Sequence, residues 1–279
     1  LISSLEKEQN RSSIPYLYNS LMYFTGSDFF LSNHNDNLIF MIADHCLEKI
    51  IPSSGSESFN DLETRILVPI ILTLSNLLKH ISTTQYMDNI INSDAALIIM
   101  SLFNDENVEL SAVAVDFLFN STYYSDIICI QLQKFDIVQY IMQWLVKEDP
   151  ENEDGILINE RLYGPCALKC LRIIYNTFVI CSNSSDQELK TYIFLCSQDE
   201  LFKKFLKYIM NDRGSSLEKS ETFSILAIVF YILTPDYAIT LANYFEIQEY
   251  ILDIIDANYT FEDIYNESNE RKIKPYLTI

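Results

Sequence analysis

The chain has 279 residues, of which 49% are hydrophobic, ample for a core, and its 39 Asp and Glu against 19 Lys and Arg give a formal net charge of −20. That balance repels nucleic acid and anionic lipid and favours basic or neutral partners. With only five Gly and seven Pro, the chain lacks the turn residues that sandwiches and barrels need, and nearly all of it is expected to be helix.

In chain order, residues 1–13 are polar, and the first helix is expected at 14–26, with Pro15 in its first turn and Gly26 at its end. An amphipathic helix at 37–50 runs into a Ser- and Gly-rich linker at 52–61. A long apolar helix follows at 62–81; Pro69 inside it is expected to kink or divide it. Short helices are expected at 84–91 and 94–103, a long one at 107–124 and two shorter ones at 125–133 and 135–147. The acidic insert "KEDPENEDG" makes 147–158 a loop. Helices then recur at 159–181, 186–196 and 198–211, a linker at 211–219, helices at 219–234, 236–244 and 246–257, and a mixed polar tail at 258–279. No apolar window approaches the ~20 residues needed to cross a bilayer. The chain starts at Leu1 without an initiator Met or a leader pattern and reads as a fragment.

Five of these helices share a phrase: an apolar residue, another three later, and Asn or Tyr two beyond that. It reads Tyr18/Leu21/Tyr23, Ile71/Leu74/Asn76, Val115/Leu118/Asn120, Leu171/Ile174/Asn176 and Leu226/Val229/Tyr231, at intervals of 53, 44, 56 and 55 residues. The spacing puts the first two side chains on one helix face and the third at its rim. Armadillo and HEAT units run about 40–47 residues, so one interval fits directly and three need inserts. The expectation is an all-α, armadillo/HEAT-like right-handed helical solenoid of about five repeats, forming a single domain over 1–279.

Little in the sequence offers chemistry. The three histidines, His34, His45 and His80, show no metal-ligand spacing. The six cysteines lie in apolar helical patterns and read as buried, reduced thiols; Cys166 and Cys170 share a helix face as part of a core stripe. There is neither a phosphate-binding glycine loop nor a nucleophile elbow. No catalytic residue, metal or cofactor is implied, and no small-molecule substrate.

The candidate protein-binding residues are Asn76, Asn120 and Asn176. An asparagine at a helix rim can bracket the backbone of an extended peptide, or it can bond within its own repeat. Tyr123 and Tyr124 are adjacent at a helix end and cannot both point inward, so one is a candidate surface anchor. Lys203, Lys204 and Lys207, with Lys190 and Arg213, form the main basic cluster and read as amphipathic lysines bordering a core.

The segment "LVPIILTLSNLLKH" at 67–80 resembles the third helix of armadillo repeats, and "ALKCLRIIYNTF" at 167–178 is similar. In nuclear-import receptors and catenins this helix carries a Trp four residues before the groove asparagine. Here Leu72, Asp116 and Arg172 stand at those positions, while Asn76, Asn120 and Asn176 match the asparagine. The segment "AVAVDFLFNSTYY" at 112–124 resembles the armadillo subunits of fungal SWI/SNF- and RSC-type chromatin remodellers. That resemblance implies a non-catalytic nuclear scaffold contacting other protein subunits. The alternative is a soluble adaptor or transport receptor binding basic extended peptides.

Overall fold

The computed structural model describes residues 13–33, 36–50, 61–80, 99–100, 102–103, 107–152 and 155–249. The chain divides into two compact units, Leu1–Ile232 and Leu233–Ile279. The first holds α1 (Ile14–Thr25), α2 (Asp28–Asn33), α3 (Asp36–Ile50), α4 (Asp61–His80), α5 (Val108–Tyr124), α6 (Asp126–Lys134), α7 (Ile137–Leu145), β1 (Val146–Glu148), β2 (Ile156–Ile158), α8 (Glu160–Asn183), α9 (Gln187–Gln198), α10 (Glu200–Tyr208) and α11 (Ser216–Ile232). The second unit holds α12 (Pro235–Tyr244), which buries Leu241 and the following Phe245, and residues 247–249 are again helical. The expectation of a mostly helical chain holds.

In the first unit α1 packs on α4, α4 on α5, α5 on α8 and α8 on α11. These are the five helices that carry the phrase. Its first two positions form the centre of the core: Tyr18, Leu21, Ile71, Leu74, Val115, Leu118, Leu171, Ile174, Leu226 and Val229 are all buried. Each such side chain contributes ~1.5–3 kcal/mol of burial, so the stack is held by a repeated apolar seam. Within the stack α4, α5 and α8 run parallel in register. Asn107 at the start of α5 donates to Thr64 Oγ1 at the start of α4, while Asp116 and Thr122 of α5 pair with Lys169 and Asn176 of α8 in the same order.

The helix boundaries follow from local chemistry. Ser125 accepts from the Ile128 amide to begin α6, and Asp199 accepts from Phe202 to begin α10. Pro69 does not divide its helix, since α4 runs unbroken from Asp61 to His80. The ring removes only the N–H that would have reached Arg65, and Arg65 is exposed. The linker expected at 52–61 lies outside the described residues except for Asp61, where α4 begins. The short helices expected at 84–91 and 94–103 lie outside them too, apart from residues 99–100 and 102–103, of which Ile99 and Met100 are helical.

Three expectations are corrected. Residues 28–33, unassigned from the sequence, form α2, started by Ser27, whose Oγ accepts from the Phe30 amide at 3.2 Å. The acidic insert is not simply a loop. Its ends pair as an antiparallel hairpin in which Lys147 faces Leu157, and Gly155 turns the chain back at φ 68°. The linker at 211–219 shrinks to two residues. After α10, residues 209–213 continue as a π-helical turn closed by Gly214, whose N–H reaches Ile209 O at 3.1 Å. A Cβ at Gly214 would stand 2.8 Å from that same oxygen.

Then Ser215 caps α11. Its Oγ accepts from the Glu218 amide at 3.3 Å, while Glu218 Oε2 accepts from the Ser215 amide at 2.7 Å, a reciprocal capping box. Ser215→Ala is therefore expected to cost ~1 kcal/mol in urea denaturation. A loss below a few tenths would mean that water replaces the cap.

Candidate protein-binding face

The third position of the phrase defines one rim of the stack. None of its five residues is buried: Asn76, Asn120 and Asn176 are half-buried, and Tyr23 and Tyr231 are 74% and 80% exposed. The sequence analysis leaves two uses for the asparagines, a ligand or the fold, and the structure distinguishes among the three.

Asn76 Nδ2 donates to Met22 O of α1 at 3.0 Å, the same oxygen that accepts from the Gly26 amide at 3.0 Å. Asn76 thereby adds a cross-helix donor to a carbonyl that already closes the end of α1, tying that end to α4. Gly26 permits the approach, because a Cβ there would come within 3.0 Å of Asn76 Nδ2. Asn176 Nδ2 donates to Thr122 Oγ1 of α5 at 3.1 Å. These two asparagines fasten adjacent rungs. Asn120, in the middle, holds no side-chain hydrogen bond to another described residue, and its amide stays at the half-buried rim. Close by in sequence, Tyr123 and Tyr124 meet edge to face, centroids 5.0 Å apart; Tyr124 is 38% exposed and Tyr123 is half-buried.

Asp116 and Arg172, at two of the positions where the armadillo resemblance would place Trp, are spent on cross-helix pairs. Lys169 Nζ lies 2.8 Å from Asp116, and Arg172 Nε lies 3.0 Å from Glu221 of α11. The Arg172 guanidinium also covers the Phe119 ring at 5.6 Å. This part of the face is polar and internally neutralised.

The acid surplus has a partly structural origin. Most helices carry Asp or Glu in the first turn, among them Asp61 and Glu63 of α4, Glu109 of α5, Glu160 of α8 and Glu218 of α11. There the carboxylates complement the positive helix end. The lysines of α10 border a core as the sequence suggests. Lys203 pairs with Glu200, and the Lys204 stem packs over Gly155 of the hairpin turn.

All six cysteines are free and buried. Burial pushes the Cys166 thiol up to about 11 and those of Cys46 and Cys181 to about 12. Cys129, Cys170 and Cys196 are raised as well, chiefly by burial. The thiols are thus protonated at neutral pH and poor nucleophiles. Among the described residues no group of three or more His, Cys, Asp or Glu could hold a metal ion. No described helix is long and apolar enough to cross a membrane.

These observations define an all-α protein built on a stack of long helices. No family model and no curated protein matches the chain. Among solved structures, the crystal structure of an engineered protein from the Northeast Structural Genomics Consortium is similar, with a TM-score of 0.61 over 95% of this chain and 91% of that one. Sequence identity is 13%, so the likeness is one of fold alone.

Proposed function

We propose that this chain is a non-catalytic, armadillo-type scaffold on which other protein subunits assemble. The stack of phrase-bearing helices carries the reading, since stacked repeats provide long surfaces for partners. Partners that order on binding need such a footprint to offset the entropy they lose. The engagement of Asn76 and Asn176 inside the stack supports a subunit scaffold over a receptor whose asparagines bracket an extended peptide. The resemblance of 112–124 supports a nuclear chromatin-remodelling complex as the assembly, with the motor on a separate chain.

The test is purification of the tagged full-length protein with a wash at about 0.5 M salt, where charge-driven contacts are heavily screened. Retention of several fixed subunits, including a remodelling ATPase, is the expected result, and Asn120→Ala should leave it unchanged. Partners that appear only at low salt and disappear with Asn120→Ala would replace this reading with the peptide-binding adaptor.

A further inference from the structure

We draw no further inference here: the strongest candidate, the basic face of α10 with Lys203, Lys204 and Lys207 beneath the acidic hairpin 146–158, carries nothing, because the hairpin already packs on it, Lys203 is paired with Glu200, and nothing in the structure shows what else would cover it.

Discussion

Leu118→Ala is expected to destabilise the first unit by about 2–5 kcal/mol, while Asn120→Ala, two residues away, should stay within about 0.5 kcal/mol. Leu118 is fully buried, on a helix that packs against both α4 and α8. Truncation removes apolar area and leaves a cavity lined by two other rungs, each fixed by its own seam, so relaxation is limited. Asn120 holds no side-chain bond to the rest of the described fold, and its removal costs little. Asn76→Ala should fall between them, at about 1 kcal/mol, because it removes the cross-helix hydrogen bond to Met22 O, an oxygen that keeps the Gly26 amide. Trp144, the chain's one tryptophan, is buried on α7 and reports unfolding of the same unit in urea by its fluorescence. A Leu118→Ala loss below 1 kcal/mol would show that the phrase is not the seam of the stack. An Asn120→Ala loss equal to that of Asn76→Ala would give Asn120 a structural bond after all.

The apolar seam was legible because its signal is periodic: burial at i and i+3 recurs in five helices, and every one of those ten residues is in the core. Caps such as Asn107, Ser125 and Asp199 mark helix starts by residue type alone. The helix α2 escaped notice because six residues do not complete enough turns to show a period. The hairpin escaped because Val146 and Ile156–Ile158 flank a run of acids that reads as solvent-exposed. The division of labour among the asparagines was closed to sequence reasoning for a different reason. Whether an Asn meets Met22 O, Thr122 Oγ1 or nothing depends on the neighbouring rung, 54 residues away in sequence for both bonded cases. One readable signal was passed over. Phe135-Asp136-Ile137 and Phe245-Glu246-Ile247 repeat an aromatic–acid–Ile turn, and the acid is left-handed in both, at φ 50° and 53°. In each the aromatic N–H closes the preceding helix, on Gln131 O and Leu241 O.

That turn supplies the second large effect. Asp136 is the N-cap of α7, its Oδ1 accepts from the Gln139 amide, and the same oxygen accepts from the Tyr192 hydroxyl at 3.1 Å. Tyr192, buried on α9, in turn accepts from the Val138 amide at 3.2 Å, so one phenol ties α9 to the start of α7. Burial pushes that phenol well above its ordinary range, so it stays a donor at any working pH. Asp136→Ala loses the cap, the acceptor for Tyr192 and the tolerance of acidic residues for left-handed backbone, at about 2–4 kcal/mol in all. Asp136→Gly recovers the backbone term and should cost less. Asp136→Asn keeps both the conformation and an acceptor oxygen and should cost least. Tyr192→Phe leaves the buried Val138 amide without its partner, at about 1–3 kcal/mol. Combined with Asp136→Ala it should be less than additive, because the two substitutions break a shared bond. Full additivity, or Gly as damaging as Ala, would mean that neither the shared bond nor the left-handed turn governs how α7 is held against α9.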